Sequence, residues 1–304
     1  MKIGIDLGGS HVSVGLINQN GEIIAKRDVD IRQADKENVE DFILFSMLKL
    51  INKVLDTKNM SIKDIELIGI AAPGLIKRGV IVKSKNLNLS KFPIVSDLKK
   101  VFPIPVLLRN DAKCAALAEN EYGSLKPYSD SIFLSLGTGI GGAVFSKGKL
   151  LEAPRSAGFE IGHIIIERNG RLCSCGNKGC FEAYASIGNL RKRVMEKLNL
   201  EQEINGKQLL EILRKEEMKE VIEPILDEYI EYLSIGVADL INIFEPEAIA
   251  LGGSITYYDT LILDRLKDNI RKKGYIYNEE IFPKILMAKL KNDAGMIGAT
   301  IEKK

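Results

Sequence analysis

Lys2-Ile3-Gly4-Ile5-Asp6-Leu7, followed by Gly8-Gly9-Ser10, is a strand running into a glycine turn. Val12 to Ile17 alternates as a second strand, Asn20-Gly21 makes a polar turn, and Glu22 to Val29 reads as a third strand. The same order recurs further on. Ser131-Ile132-Phe133-Leu134-Ser135-Leu136 is a strand, Gly137-Thr138-Gly139 a turn, and Ile140 to Phe145 a strand. Lys147-Gly148 is a turn and Lys149-Leu150-Leu151 a third strand. Gly8 set against Gly137 gives an offset of 129 residues. One strand–turn–strand–turn–strand unit is used twice, which predicts an α/β chain of two duplicated lobes.

Helical material follows each unit. Lys36 to Asp56 carries Val39, Phe42, Ile43, Leu50, Ile51, Val54 and Leu55 at helical spacing. Pro224 to Phe244 does so through Leu226, Ile230, Leu233, Val237, Leu240 and Ile241. Apolar strands are expected at Leu67 to Ala72, Val106 to Arg109 and Ala248 to Leu251. A final helix, about Gly295 to Lys304, would close back on the first lobe. The N-terminal lobe is expected to take in residues 1–118 and 293–304, the C-terminal lobe 119–292, with the crossing in the helix near Ala112 to Gly123.

The composition, 45% hydrophobic and 28% charged with a net charge of +2, is that of an ordinary globular protein. No basic stripe points to nucleic acid. The longest uncharged stretch, Ser131 to Ser146, is glycine-rich and too short to span a bilayer. Asp6 falls where a secretory signal would need an apolar run, so a cytoplasmic protein with reduced cysteines and no membrane partner is expected.

Three of the four cysteines, Cys173, Cys175 and Cys180, fall within eight residues, and His163 lies ten positions upstream of the first. Three thiolates and one imidazole complete a tetrahedral zinc set and leave no position for water, so such a Zn2+ would be structural. Free buried thiols or a disulfide are the alternative, although Cys173 and Cys175 are too close to bridge comfortably. Asn169-Gly170 is a hairpin turn that would fold His163 back toward Cys173. Glu160 and Glu182 bracket the cluster.

Glycine turns at Gly8-Gly9-Ser10, Gly137-Thr138-Gly139 and Gly252-Gly253 offer backbone N–H groups, with hydroxyls from Ser10 and Thr138, to phosphate oxygens. Each alone is equally a plain hairpin turn. No P-loop lysine follows them, and the dinucleotide fingerprint is absent. Asp6, beside the first turn, would repel phosphates unless a divalent cation lay between them; otherwise it caps the turn. Asn110-Asp111 stands where a strand ends and a helix begins. Asp111 is there either a helix cap or a general base. Asn110 can both donate to and accept from sugar hydroxyls. Gly74, after another strand, would let a ligand approach the backbone. Together these residues point to phosphoryl transfer from ATP to a hydroxyl, with Mg2+.

Asp6-Leu7-Gly8-Gly9-Ser10, Leu136 to Gly142, Glu160-Ile161-Gly162-His163 and Cys173 to Glu182 resemble the ROK family (repressors, open reading frames, kinases), in the expected order and over nearly the whole chain. The resemblance implies a two-lobed actin-like, ribonuclease-H-like ATPase fold with a sugar in the cleft between its lobes. It implies an ATP-dependent hexokinase, foremost a glucokinase acting at the 6-hydroxyl, with N-acetylmannosamine or N-acetylglucosamine kinase as the alternative. It implies Asp111 as catalytic base. Asn110, Glu160, His163 and Glu182 would meet the sugar, and Gly74 would lie in the substrate loop. Gly8, Gly9, Ser10, Thr138 and Gly139 would meet phosphates, and Gly252 and Gly253 adenosine. His163 would share itself between zinc and sugar, and a homodimer or higher homo-oligomer is implied. A sugar-responsive regulator is the reading from another class; family repressors carry a helix-turn-helix ahead of the first glycine turn, and Asp6 leaves no room for one. The chain departs from the family at His11, where lysine or asparagine is frequent, and at Phe159, which would narrow the sugar pocket. Cys114 reads as a small buried hydrophobe.

Overall fold

A computed structural model describes residues 1–32, 38–153, 159–273 and 281–302. The chain divides into two units: Met1–Lys126 with Glu152–Gly158 and Asn292–Lys304, and Pro127–Leu151 with Phe159–Lys291. The first crossing thus follows the third helix, whereas a boundary at residue 118 would cut it.

In the first unit, β1 (Lys2–Leu7), β2 (His11–Ile17) and β3 (Ile23–Asp30) form an antiparallel meander. After α1 (Val39–Asp56), β4 (Ile68–Ala72) pairs parallel to β1. A small antiparallel sheet follows, of β5 (Leu75–Lys77), β6 (Val80–Ser84) and β7 (Leu89–Phe92). Then come α2 (Ile94–Val101), β8 (Val106–Asn110), which pairs parallel to β4, and α3 (Asp111–Glu121). The main sheet order is β3-β2-β1-β4-β8.

The second unit repeats that plan. β9 (Ser131–Leu136), β10 (Ile140–Ser146) and β11 (Lys149–Leu150) form the meander. Then follow α4 (Glu182–Ala185), α5 (Ile187–Lys197), α6 (Gly206–Arg214) and α7 (Lys219–Phe244). β12 (Ala248–Gly252) pairs parallel to β9 and, after α8 (Asp259–Lys272), β13 (Lys284–Met287) pairs parallel to β12. The order β11-β10-β9-β12-β13 is that of the first sheet, element for element. The duplication read from the glycine turns is therefore a duplication of sheet topology.

Central strands are buried on both faces: every residue of β4 and β12 is buried, as apolar runs without alternation require. The last helix, α9 (Ala294–Ala299), lies on β1 and β4 beside α3. Three glycines admit it. A Cβ at Gly4 would collide with the Met296 carbonyl, one at Gly69 with the Ala299 carbonyl, and one at Gly298 with the Cys114 carbonyl. α9 is shorter than the expected 295–304, part of which lies outside the described residues. Thr300 ends it by donating its hydroxyl to the Ile297 carbonyl at 2.8 Å.

α7 begins five residues before Pro224, not at it. A proline past the first turn removes a helical hydrogen bond, but the buried Ile222 and Ile225 anchor that turn in the core. Segment 164–172 is not a regular hairpin either. The turn forms, with Gly170 N–H donating to the Glu167 carbonyl at 3.3 Å, but the flanks pair elsewhere, Ile165 with Cys180 and Leu172 with Lys178. Among the described residues no helix is long and apolar enough to cross a membrane.

Candidate functional site

β1, β4 and β8 run parallel in the first unit, and their registers align Asp6 with Ala71, Ala71 with Arg109, and Ala72 with Asn110. Asp6, the Ala72-Pro73-Gly74 loop and Asn110-Asp111 therefore share the carboxyl edge of one sheet, where α/β sheets hold ligands. Gly74 has φ +101°, and a Cβ there would strike the Lys83 carbonyl, so only glycine fits.

Asn110, not Asp111, caps α3: its Oδ1 accepts from Lys113 N–H at 3.3 Å, and Asp111 is the first helical residue. Asp111 Oδ1 accepts from the neighbouring Ala112 N–H at 2.8 Å. Burial pushes the Asp111 carboxyl above its ordinary range, against the pull of the Ala112 N–H. Asp6 is pushed from 3.8 to about 7, first by burial and then by the negative charge of Asp111; Lys26 opposes this and Asp293 adds to it. Lys26 is paired with Asp293 at 2.7 Å. Next to Asp6, the Gly8 N–H donates to the His11 carbonyl at 2.9 Å and closes the first glycine turn. The Ser10 hydroxyl stands 2.8 Å from His11 Nδ1.

The second unit gathers the other two glycine turns. Gly137 N–H donates to the Gly139 carbonyl at 3.0 Å. Gly253, at φ +77°, sits so near the Leu136 backbone that a side chain would crowd it, and Ser254 Oγ donates to the Leu136 carbonyl at 3.4 Å. Gly188 went unremarked in the sequence. Its N–H donates to the Gly137 carbonyl at 2.9 Å, and a Cβ there would collide with the Thr138 carbonyl. Its one sequence signal is a glycine at the second helical position after the Ser186 cap. A cavity of about 660 Å³ opens beside this turn, lined by Thr138, Gly188, Arg191, Met195 and Glu203 among others.

The four expected zinc ligands converge. His163, Cys173, Cys175 and Cys180 place their ligand atoms within 4.8 Å of one another. Cys175 Sγ lies 3.7 Å from Cys180 Sγ, and His163 Nδ1 lies 3.6 Å from Cys173 Sγ. A tetrahedron built on ordinary zinc bond lengths has S···S edges of about 3.8 Å and S···N edges of about 3.6 Å. The donor set therefore fits zinc, and the sulfur separation is far beyond a disulfide bond.

Glu160 is exposed and starts the short turn Ile161–His163, its carbonyl accepting from His163 N–H at 2.9 Å. Phe159 before it has φ +62°. Glu182 is more constrained than the sequence implied. Oε2 accepts from Ile140 N–H at 3.0 Å, and Oε1 accepts from the Ser174 hydroxyl at 2.7 Å. Arg171 fastens the same loop to α7, lying 4.4 Å over the Tyr184 ring and 2.7 Å from Glu228. Cys114 is fully buried beside Ala71 and Ala299, as a small hydrophobe.

Residues 2–302 match the ROK family. The chain belongs to that family. It is similar to a glucokinase from Thermotoga maritima, at 31% identity over 98% of this chain and 95% of that protein. It is similar to a xylose repressor from Caldicellulosiruptor bescii, at 32% identity over 97% of this chain and 76% of that protein. Among solved structures, a ROK family glucokinase from Streptomyces griseus, in complex with glucose and AMPPNP, superposes with a TM-score of 0.82 at 26% identity, over 98% of this chain and 97% of that one. The fold is the actin-like ATPase fold of ROK sugar kinases.

Proposed function

We propose that this ROK protein is a sugar kinase that transfers the γ-phosphoryl group of ATP to the 6-hydroxyl of a hexose, with glucose the preferred acceptor. The observation that carries this reading is Asp111. Withdrawing a carboxylate from water is costly unless it is paired and hydrogen-bonded. Asp111 is half-buried at the carboxyl edge of the sheet, where desolvation raises it above its ordinary pKa, while the capping of α3 falls to Asn110. A carboxyl raised by desolvation beside a ligand edge is a candidate general base.

In this reading Asp111 takes the hydroxyl proton late, as a loose transition state permits, and positioning supplies most of the rate. Asn110 caps the helix through Oδ1 and offers its amide group to the Asp111 carboxyl and to a sugar oxygen. Glu160, His163 and Glu182 meet sugar hydroxyls, and Gly74 lets the sugar approach the chain. His163 presents Nδ1 to the thiolates, which leaves Nε2 as a donor fixed in direction. Gly8, Gly9, Ser10, Thr138 and Gly139 hold phosphates, and Gly252 and Gly253 adenosine. Zinc, held by His163, Cys173, Cys175 and Cys180, would supply rigidity and no chemistry. Asp6 is the residue fitted to hold Mg2+, which would neutralise phosphate charge.

The deciding assay is ADP release over a panel of hexoses and N-acetylhexosamines with ATP and Mg2+. The proposal expects turnover, fastest with glucose. A folded, zinc-loaded protein that releases no ADP with any sugar would sink it. The likeness to a xylose repressor supports a second reading, a sugar-responsive regulator, for which sugar would bind and no ADP would form.

A further inference from the structure

Glu182 joins two parts of the second unit that the chain brings together only in space. Its Oε2 accepts from Ile140 N–H at 3.0 Å, at the start of β10 and directly after the Gly137–Gly139 turn. A Cβ at Gly139 would run into that same oxygen, so the carboxylate is packed against the turn. Its Oε1 accepts from the Ser174 hydroxyl at 2.7 Å, between two of the zinc-type cysteines, and Cys173 Sγ stands 3.6 Å away. Behind it, Asn189 Nδ2 donates to the Glu182 carbonyl at 2.9 Å and to Ser186 Oγ at 2.8 Å, tying α4 to the start of α5. The residue before it in that helix, Gly188, is the one whose N–H holds the Gly137 carbonyl. The second glycine turn is thus held from both sides by residues reached through Glu182.

From this geometry we infer that Glu182 and Ser174 are positioning residues for the second phosphate turn, so that the cysteine loop sets nucleotide affinity as well as sugar contacts. A carboxylate with one oxygen on a backbone N–H and the other on a hydroxyl is a two-point strut. Charge-assisted hydrogen bonds of this kind are about twice as strong as neutral ones. Removing the carboxylate leaves the Ile140 N–H without its acceptor and frees the turn to drift from the geometry that N–H groups need to cradle phosphate. Removing only the Ser174 hydroxyl leaves the carboxylate on Ile140 but lets it swing. The inference rests on the nucleotide reading of the turn.

The test is AMPPNP binding by calorimetry, with Mg2+ and no sugar, on the full-length chain. Glu182→Ala is expected to weaken AMPPNP by about tenfold and Ser174→Ala by about threefold. Glu182→Gln, whose amide oxygen can still accept from Ile140 N–H, should recover most of the loss. Zinc content and melting temperature of Ser174→Ala should stay at the wild-type value, which separates positioning from unfolding. Chelated, still folded wild type should also lose AMPPNP affinity. Wild-type affinity in Glu182→Ala, Ser174→Ala and chelated protein would overturn the strut. Should Glu182→Ala fail to fold, Ser174→Ala and the chelated protein still decide. Wild type that binds no AMPPNP at all would overturn the nucleotide reading instead.

Discussion

Asp6→Asn is expected to stabilise the protein, and only above acid pH. In the unfolded chain Asp6 titrates near its ordinary 3.8; in the folded first unit it is pushed to about 7, mainly by burial and then by Asp111. The gap is about 3 pKa units at about 1.4 kcal/mol each, or about 4 kcal/mol. Below pH 3.8 both states hold the proton, and Asp6 costs nothing relative to asparagine. As pH rises from 4 to 7 the unfolded chain releases its proton and the folded chain does not, so folding stability falls by up to about 1.4 kcal/mol per pH unit. Above pH 7 both states are ionised and the full penalty stands. Asparagine has nearly the same shape and no proton to lose. Urea unfolding of wild type and Asp6→Asn, without nucleotide or divalent cation, from pH 4 to pH 8.5, should show a difference that opens from near zero to about 4 kcal/mol in favour of the variant. A constant offset is ordinary and carries no weight, because the amide changes local hydrogen bonds. The slope is the test. A difference that does not change with pH means that Asp6 ionises normally in the fold, and the argument that it is a desolvated carboxylate kept for a cation fails.

Asp111→Asn is expected to lower turnover at least about 100-fold, the lower end of what a positioned base contributes, while glucose binding measured by calorimetry stays within about threefold. Stripping zinc with a chelator should weaken glucose binding before far-UV circular dichroism changes; normal sugar binding by a folded, metal-free chain would make the cluster a staple only. Gly298→Ala should cost about 1–3 kcal/mol in urea unfolding, since its Cβ would drive α9 off the Cys114 carbonyl.

The strand–turn–strand repeat was readable because its signals are local. Alternation sets a strand, and a glycine pair sets a turn, wherever the rest of the chain goes. The convergence of His163, Cys173, Cys175 and Cys180 was readable for a similar reason, since residue type and spacing carry most of the information. Other glycines look the same in sequence and mean something else. Gly4, Gly69 and Gly298 are small because α9 closes onto β1, β4 and α3 from far along the chain. Gly188 is small because the Thr138 carbonyl comes to it. No window around these residues contains the atom that forbids a side chain.

The acidic residues follow the same division. Asp6, Asp111 and Glu182 could be picked out by type and by their place at strand ends or beside cysteines. Whether each is a cap, a base or a strut depends on burial and on partners distant in sequence. Asn110 took the cap that Asp111 was equally suited to make, because the helix begins at Asp111 and a cap must precede it. Glu182 took partners 42 and 8 residues away, and so became part of the second glycine turn as well as of the cysteine loop. Residue type therefore limits the chemistry a position can perform, and long-range packing selects among those options. That is why a conservative change such as Glu182→Gln, which keeps the shape and removes the charge, tells more about this site than truncation does.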